Sequence, residues 1–276
     1  MKQITCIVEN TAKRGTSFWS EHGLAFRFEM GDACALFDTG ATSATLLHNL
    51  GLLAEPPGGI SAVILSHVHA DHTGGLLAFL SRNPGLPLYA SPDMFTPRFS
   101  LRKGTYKDIG LPVTREQLTA LADLRLNDAP VEVIPGLWTT GEIDQRPEPE
   151  GRSARHYVPD GDGWQADPYR DDVSMVMETQ EGLIVILGCC HAGMLNTLAH
   201  VRRTFGQDIA IIMGGTHLAE ADRAYLDHVA GVLRDTYRSP RLCLNHCTGE
   251  RAFVALTNAF GDRVTTCPAG TVLAFE

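Results

Sequence analysis

The stretch SHVHADHTGG, residues 66–75, constrains this chain more than any other part of its sequence. It places His67, His69, Asp71 and His72 within six positions, directly after the apolar run AVIL. Alternate side chains of a strand point to the same side, and the Thr-Gly-Gly that follows predicts that the strand ends in a tight turn. Such a turn can direct two imidazoles at one metal ion while the Asp-His pair reaches a second. Nitrogen and carboxylate oxygen suit Zn²⁺, and also Fe or Mn, so the stretch predicts a metal site.

Four further histidines occupy positions that suit such a site. His191, His217 and His246 each follow an apolar run, in LIVILGCCH, DIAIIMGGTH and RLCLNH. Because strand carboxyl ends in an α/β protein meet at one rim, where ligand sites are built, we expect these side chains to face the cluster. His22, in SEHGLAF, precedes a strand instead and is a candidate for a supporting or substrate-binding role. The other histidines are interpreted as surface or helix residues: His48, His156, His200 and His228.

Asp38 ends another apolar run, in LFDTG. A carboxylate here can form a turn through hydrogen bonds to the backbone, or it can orient a ligand histidine or the loop that carries the cluster. We expect the second role. Cys189, Cys190 and Cys247 adjoin the candidate ligand histidines. A thiolate ligand is conceivable there, but the apolar flanks favour packing, in which a thiol behaves as a small hydrophobe.

The order of apolar runs predicts an α/β chain. In each half of the sequence strands come first and then alternate with helices, which favours a four-layer αββα sandwich, two packed sheets with helices outside. We expect a single domain over residues 1–276. Residues 91–170 contain nine prolines and are interpreted as an irregular, lid-like insertion. It holds one predicted helix, with Thr114 as N-cap and Gln117 in the capping-box position.

Composition restricts the function classes. The formal net charge of −9 argues against a nucleic-acid-binding protein, which usually has a basic excess. The seven cysteines lack the paired spacing of a disulfide framework and fit a reducing compartment. MKQITCIVEN lacks the apolar segment of a signal peptide, and no apolar run approaches the roughly 18 residues of a membrane span, so we expect a cytoplasmic protein. No GxSxG, Walker-type loop or GxGxxG supports serine hydrolysis or dinucleotide binding.

The motif HVHADH resembles the HxHxDH signature of the metallo-β-lactamase superfamily, whose αββα fold holds one or two metals at the rim of its sheets. The resemblance extends along nearly the whole chain, because FDTG, SHVHADHTGGL, GCCHAG and NHCTG occur in the order that this fold expects. The chain also resembles one branch, labelled 7,8-dihydropterin-6-yl-methyl-4-(β-D-ribofuranosyl)aminobenzene 5′-phosphate synthase-like. That similarity is carried by VENT, EHGL, GEI, EGLIVILGCCHAGMLNT and GGTHL.

The resemblance implies a set of ligands for each of two metal ions. His67 and His69 would bind the first metal. Asp71 and His72 would bind the second, and His246 would be the last histidine of the pattern, also on the second metal. The superfamily usually places a histidine and then a bridging aspartate between the cluster and the final histidine, whereas this chain offers a histidine at both strand ends.

Two assignments of those middle ligands stay open. If LIVILGCCH corresponds to the aspartate-bearing strand, His191 bridges the metals, and Asp171 or Asp172 fills the earlier place. If the spacing is taken literally, His191 completes the first metal's ligands and His217 replaces the aspartate. A bridging imidazole is less natural than a bridging carboxylate.

The leading functional hypothesis is a binuclear metal-dependent hydrolase that uses a metal-activated water on a small anionic substrate, a phosphate ester or phosphodiester. Two divalent ions are expected, with Zn²⁺ as the first choice and Mn²⁺ or Fe as alternatives. Asp71 could accept the water proton, and His217 or His22 could orient the substrate or act as general acid. The alternatives are a β-ribofuranosylaminobenzene 5′-phosphate synthase-like transferase, or a metal-binding redox or sensor protein.

The expected partner is a small-molecule substrate. We expect neither nucleic acid nor a membrane as a partner, and the sequence leaves homo-oligomerisation open. In the insertion, four basic residues could cap the site and attract a phosphate or carboxylate. They are Arg98, Arg102, Lys103 and Arg155.

Overall fold

The computed structural model describes residues 2–56 and 58–275. Its helices are α1 Ser43–Gly51, α2 Ala70–Thr73, α3 Leu76–Arg82, α4 Arg115–Leu121, α5 Met194–Phe205, α6 Arg223–Asp235 and α7 Glu250–Phe260. Short 3-10 helices cover Pro92–Phe95 and Gly261–Arg263. Within the described ranges, no helix combines the length and the apolar surface that a bilayer crossing requires.

The strands are distributed over the whole chain. The first nine are β1 Lys2–Val8, β2 Ala25–Met30, β3 Ala33–Phe37, β4 Ala62–Ile64, β5 Leu86–Ala90, β6 Phe99–Arg102, β7 Thr105–Asp108, β8 Ala122–Leu126 and β9 Glu132–Ile134. The others are β10 Leu137–Thr139, β11 His156–Asp160, β12 Gly163–Ala166, β13 Met175–Thr179, β14 Gly182–Leu187, β15 Ile209–Gly214, β16 Arg241–Leu244, β17 Val264–Thr266 and β18 Val272–Phe275.

These strands form two large sheets and a small one. The first large sheet has the order β18-β1-β2-β3-β4-β5-β8, and the second has the order β17-β16-β15-β14-β13-β10-β9. The small sheet has the order β12-β11-β6-β7. Strands β3, β4, β5 and β8 are parallel, and so are β14 to β17. Each large sheet therefore presents several strand carboxyl ends along one edge.

The packing of β14 shows why the chain forms four layers. Ile184 and Ile186 pack between the two large sheets, whereas Leu183, Val185 and Leu187 pack against the helices α5, α6 and α7. A strand that is buried on both faces must be apolar at nearly every position, which GLIVIL satisfies. Helices α1, α3 and α4 cover the outer face of the first sheet in the same way. The predicted αββα sandwich is confirmed.

Residues 91–170 are more regular than the sequence suggested. The interpretation as an irregular insertion is wrong for much of this segment, since β8 extends the first sheet beside β5 and β10 joins the second beside β13. The small sheet lies wholly within the segment. The predicted helix is α4, and the capping box of Thr114 and Gln117 is present. The strands escaped prediction because each has only three to five residues, too few for a clear alternation.

Candidate metal centre

Five strand ends carry the candidate site residues. Strand β3 ends before Asp38, β4 before the histidine cluster, β14 before His191, β15 before His217 and β16 before His246. Since these are all carboxyl ends, the side chains that follow them meet at one rim of the sandwich. The rim is where the sequence predicted a ligand site.

The cluster itself adopts a short helix where a turn was expected. Asp71 and His72 lie in α2, and Gly74 and Gly75 separate it from α3. A side chain on Gly74 would overlap the carbonyl oxygen of Ala41. The glycine therefore lets the cluster pack against the loop after β3, which carries Asp38.

One side of the site consists of His67, His69 and His191, and all three are buried. Nε2 of His67 lies 3.1 Å from Nδ1 of His69. The ring centroids of His67 and His191 are 4.9 Å apart. Within residues 2–56 and 58–275, Nε2 of His69 and Nε2 of His191 have no hydrogen-bond partner. The imidazoles thus converge on one buried position with unsatisfied nitrogens.

The other side consists of His72, His246 and Asp71. Nε2 of His72 lies 3.2 Å from Nε2 of His246. Oδ2 of Asp71 is 3.5 Å from Nε2 of His246 and 3.8 Å from Nε2 of His72. His22 approaches the same carboxylate at 3.4 Å, but its side chain is 75% exposed. His22 therefore lies at the outer rim, and the buried pair of this side is His72 and His246.

Contacts on the outer ring nitrogens orient the two sides. The carboxylate of Asp38 accepts a hydrogen bond from Nδ1 of His72 at 2.7 Å, and the carbonyl of Gly151 accepts one from Nδ1 of His191 at 2.8 Å. Each contact holds a proton on Nδ1, so Nε2, which faces inward, is the nitrogen that a metal ion would bind. The expected orienting role of Asp38 has this geometric basis.

His67 and His246 have comparable outer contacts. The hydroxyl of Ser66 donates to Asp38 at 2.6 Å, so it is free to accept from Nδ1 of His67 at 2.9 Å. Oδ1 of Asn10 lies 3.2 Å from Nδ1 of His246. Sequence reasoning missed both partners, because neither Ser66 nor Asn10 has a local signal that distinguishes it from an ordinary turn residue.

Cys189 lies between the two sides. Its Sγ is 3.2 Å from Nε2 of His72. It belongs to two buried groups whose potential ligand atoms lie within 4.8 Å of one another, one with His67 and His191 and one with His72 and His246. The apolar flanks favoured packing for this thiol, whereas the structure places its sulfur beside the histidines of both sides. Its signal in the sequence was its position at a strand end, two residues before His191.

The predicted aspartates of the second half are engaged elsewhere. Asp171 pairs with Arg98 at 2.8 Å and accepts the backbone N–H of Val68 at 3.0 Å. Asp172 accepts the backbone N–H of Ala192 at 2.7 Å, so it supports the loop that carries His191. The structure thus does not place either carboxylate among the histidines. The same buried ion pair removes Arg98 from the residues that could attract a substrate.

A cavity of about 510 Å³ opens over both sides of the site. The segment 91–170 contributes Arg102, Asp108, Ile109 and His156 to its wall. The rest of the lining comes from His22, Ala41, His69, Ala70, Asp71, Cys189, His191, His217, His246 and Cys247. His217 is therefore a wall residue, with its ring centroid 4.5 Å from that of His191.

His156 was interpreted as a surface or helix residue, and that interpretation is wrong. It begins β11 and lines the cavity. Its Nδ1 lies 2.8 Å from the hydroxyl of Tyr169, whose ring stacks on His191 at a centroid distance of 4.0 Å. His156 lies in a polar, proline-rich segment, and the sequence there does not indicate the strand that places this side chain in the cavity.

Four strand ends at the rim have strained backbone. Asp38, Cys190, His217 and His246 have φ values of 60°, 62°, 48° and 52°, in the left-handed region that non-glycine residues rarely adopt. Such strain persists only where surrounding contacts impose it, and it clusters at functional sites. The strand ends are therefore held in the conformations that turn their side chains toward the rim.

Burial dominates the electrostatics of the first side. It lowers the pKa of His67, His69 and His191 well below the ordinary value, and the neighbouring histidines lower it further. These imidazoles are neutral near pH 7, as metal ligands must be. Burial and the nearby His246 also lower the pKa of His217.

The second side contains opposite charges. Burial alone would lower the pKa of His72, but the carboxylates of Asp38 and Asp71 raise it to about 9. Burial likewise opposes ionisation of Asp71, yet His72 and His246 hold its pKa well below the usual range. In the metal-free chain this side therefore already favours a negative Asp71 facing positive charge.

The donor set fits divalent cations. The facing imidazole nitrogens, 3.1 Å apart on one side and 3.2 Å apart on the other, repel unless a proton or a cation lies between them. Imidazole nitrogen, carboxylate oxygen and sulfur are ligands of Zn²⁺ and of Fe. The fold also implies divalent metal binding, and the buried, unpartnered nitrogens of His69 and His191 agree with it.

The chain is similar to known proteins along most of its length. The family model described as the metallo-beta-lactamase superfamily matches residues 22–185. A relative from Methanocaldococcus jannaschii, named 7,8-dihydropterin-6-methyl-4-(beta-D-ribofuranosyl)-aminobenzene-5′-phosphate synthase, is 28% identical over 99% of this chain and 96% of its own. The uncharacterized protein MJ0448 of the same organism is 28% identical over 92% of this chain and 93% of its own. The solved structure of Tm1679, described as a metal-dependent hydrolase of the beta-lactamase superfamily, shares the fold with a TM-score of 0.85 at 23% identity, over 100% of both chains.

Proposed function

The chain belongs to the metallo-beta-lactamase superfamily, and from that membership we propose that it is a metal-dependent hydrolase of a small phosphate ester or phosphodiester. The observation that carries the proposal is the floor of the cavity. Two adjoining groups of histidines turn ring nitrogens toward one opening, and Arg102 lies in the wall of the same cavity. This combination suits a substrate that brings negative charge to a metal centre.

Two divalent metal ions are proposed, with Zn²⁺ as the first choice and Mn²⁺ or Fe as alternatives. His67, His69 and His191 would hold one ion. His72, His246 and Asp71 would hold the other. When bound, such ions supply an acidified water near neutral pH and neutralise charge on a phosphoryl oxygen.

The protein side chains would then position the reactants. Asp71 is partly exposed to the cavity, and its lowered pKa keeps it ionised, so we propose that its carboxylate accepts a hydrogen bond from the attacking water and orients it. His217 is neutral near pH 7 because its pKa is lowered, so we propose that its ring N–H orients a substrate oxygen.

Arg102 is proposed to pair with the phosphate. It is exposed at the end of β6, and its guanidinium suits bidentate contact with phosphate oxygens. Asp108 also lines the cavity and would oppose an anion, but one of its oxygens accepts the backbone N–H of Gly110 at 2.8 Å. Arg102→Gln should therefore raise KM for a phosphate substrate and leave kcat nearly unchanged.

The relative named as a synthase supports a second candidate, a transferase. Its name describes a product in which a dihydropterin methyl group is joined to an aminobenzene ribosyl phosphate. A similarity of 28% over 99% of this chain makes the same class of reaction a specific alternative. Both candidates need a cavity that accepts a phosphate-bearing substrate. The two reactions differ in the nucleophile and not in the phosphate group that the cavity binds.

Turnover assays with metal-loaded protein separate the two candidates. The hydrolase proposal expects hydrolysis of bis(p-nitrophenyl) phosphate or p-nitrophenyl phosphate, its loss in His69→Ala, and its retention in His228→Ala, a matched change of an exposed histidine on α6. Lactone and thioester substrates should react more slowly. Failure of fully loaded protein on every phosphate substrate contradicts the hydrolase. A joined product from an activated dihydropterin and an aminobenzene ribosyl phosphate then supports the transferase.

A further inference from the structure

Within the described residues, Cys189 is the one side chain shared by both buried groups of potential metal ligands. Its Sγ lies 3.2 Å from Nε2 of His72 on one side. On the other side, the ligand atoms of His67 and His191 lie within 4.8 Å of it and of each other. Cys189 is only 4% exposed, so its sulfur is shielded from solvent at the place where the two histidine groups meet.

The nitrogens around this sulfur point to a ligand held between them. Nε2 of His191 is buried and, in the part of the chain that the structure describes, lacks a hydrogen-bond partner. Its ring is already fixed by the donation from Nδ1 to Gly151, so it cannot turn to find one. A buried polar atom of this kind is costly unless a ligand satisfies it.

No carboxylate among the described residues takes the central position. Asp171 is bound by Arg98 and by the backbone of Val68. Asp172 is bound by the backbone of Ala192. Asp71 groups with His22 and His246 at the outer edge instead. The sulfur of Cys189 is therefore the donor atom that lies between the two sides.

We propose that Cys189, as a thiolate, is a ligand shared by both metal positions of this centre. The proposal rests on the metal-dependent function proposed above and names a ligand of the same site. Coordination breaks the S–H bond, the proton passes to solvent, and sulfur keeps its electron pair for the metals, so no oxidant or reductant is needed.

The neighbouring thiols provide matched controls. Cys190 belongs to the core on the helix side of the second sheet, and its Sγ lies 3.4 Å from the hydroxyl of Thr197. Cys247 lines the cavity, with its Sγ 3.5 Å from the carbonyl oxygen of Cys189. Cys190→Ser tests the general cost of losing a buried thiol here, and Cys247→Ser tests whether the adjacent thiol is the ligand.

Cobalt substitution provides a test that does not depend on turnover. The protein is loaded with Co²⁺, and the near-ultraviolet sulfur-to-cobalt charge-transfer band is recorded. We expect the band in the wild type, in Cys190→Ser and in Cys247→Ser, and its loss in Cys189→Ser and Cys189→Asp. Cys189→Asp keeps an anionic donor, so it should still bind two cobalt ions per chain, which shows that loss of the band is not loss of the fold.

Electron paramagnetic resonance tests whether the ligand is shared. A thiolate between two ions couples their spins, so the signal of the two-cobalt protein should be weaker than twice that of the one-cobalt protein. A signal that simply doubles overturns the sharing of Cys189. Three results would overturn the assignment of Cys189 as a ligand. The first is a wild type that binds cobalt without the band, and the second is a band that depends on Cys247 instead of or as well as Cys189. The third is a wild type that takes up no cobalt.

Metal preference provides a second measurement. Thiolate selects softer ions, whereas carboxylate suits Mn²⁺. Cys189→Asp should therefore shift the ratio of Zn²⁺ to Mn²⁺ affinity toward Mn²⁺ by about tenfold or more, the range found when metal-site contacts change. An unchanged ratio contradicts the proposal. If the band and the ratio behave as expected but no phosphate substrate turns over, the ligand assignment stands and the proposed hydrolase fails.

Discussion

The carboxylate of Asp38 accepts a hydrogen bond from Nδ1 of His72 at 2.7 Å, and neither side chain is exposed to solvent. The same carboxylate accepts the backbone N–H of Ser66 at 2.7 Å and the hydroxyl of Ser66 at 2.6 Å. Asp38 therefore links the loop after β3 to the histidine cluster after β4. It also keeps the proton of His72 on Nδ1, so that Nε2 remains a metal ligand.

Asp38→Asn should weaken metal binding without unfolding the protein. The amide must turn its NH₂ toward either Ser66 or His72, and next to His72 it would force the imidazole proton onto Nε2. We expect zinc affinity to fall by about 10- to 100-fold, the usual cost of losing a partner of a ligand histidine. Chelator competition measures the affinity, and circular dichroism checks the fold.

Asp32→Asn is the matched control for that change. Asp32 is exposed in the turn between β2 and β3, far along the chain from any candidate ligand. The zinc affinity of the Asp32→Asn protein should equal that of the wild type. Equal affinities for all three proteins would show that Asp38 does not set the protonation of His72.

The sequence predicted those parts of the fold that have strong local patterns. The apolar run of β14 and the amphipathic helices α5 and α6 occupy the places that their periodicity indicated. Strands β8 and β10 were not predicted, because their pairing with β5 and β13 depends on partners distant in the chain. Short strands acquire their stability from those pairings rather than from their own residues.

The sequence also predicted the parts of the candidate site that follow strongly patterned strands. His67, His191 and His246 follow apolar strands, and the rule that strand carboxyl ends converge was enough to expect them together. That rule applies equally to Cys189, but its apolar flanks suggested packing, and only the geometry shows its sulfur facing histidines. His156 comes from a strand of the small sheet, whose position over the rim is a tertiary property.

His156 should make the stability of the metal-free protein depend on pH. Burial, then the neighbouring His217 and Arg155, lower the pKa of His156 from 6.5 to about 4. As pH falls below about 6.5, the unfolded chain binds a proton at this residue and the folded chain does not, so the free energy of unfolding decreases. This loss continues until pH approaches about 4, where the folded state also takes up the proton.

His156→Gln removes that titration and should flatten this pH dependence. Urea unfolding of the metal-free wild type and variant, at several pH values between about 7 and 4, measures the difference. His228→Gln, on the exposed surface of α6, should leave the slope unchanged. Parallel pH profiles for His156→Gln and the wild type would contradict the buried, neutral state of His156.

Gly151 should tolerate no side chain. A Cβ there would lie 2.8 Å from Cβ of His217 and 2.8 Å from the carbonyl oxygen of Cys190, while the Gly151 carbonyl must keep its bond to His191. Gly151→Ala should therefore destabilise the protein by about 1–3 kcal/mol, as overpacking does, and weaken zinc binding. Urea unfolding and chelator competition measure the two effects.

Gly231→Ala is the matched control, at a position where there is room for a side chain. Gly231 lies within α6, and a Cβ there would meet nothing within 4 Å. Because alanine is the better helix former, this variant should be more stable by about 0.5–1 kcal/mol with unchanged zinc affinity. The prediction for Gly151 is wrong if the two glycine variants behave alike.

Among the ion pairs near the site, those formed by the guanidinium of Arg98 should contribute most to the free energy of unfolding. It is fully buried and contacts Asp93, Asp167 and Asp171 at 2.6, 3.1 and 2.8 Å. Arg98→Met would leave buried carboxylates without a cation, which typically costs about 3–5 kcal/mol. Arg223→Met, which breaks an ion pair in which the arginine is 83% exposed, should cost less than about 0.5 kcal/mol.

The defect of Arg98→Met should shrink in acid. Burial raises the pKa of Asp171 to about 7 even though Arg98 lowers it, so removal of Arg98 should raise that pKa further. A carboxyl group with a raised folded pKa binds its proton more tightly in the folded state, and the folded state gains stability as pH falls. The difference in unfolding free energy between Arg98→Met and the wild type should therefore be smaller at about pH 5 than at about pH 8. Urea unfolding at both pH values measures it, and a difference that is constant or grows in acid would show that the cost of the substitution does not come from buried carboxylate charge.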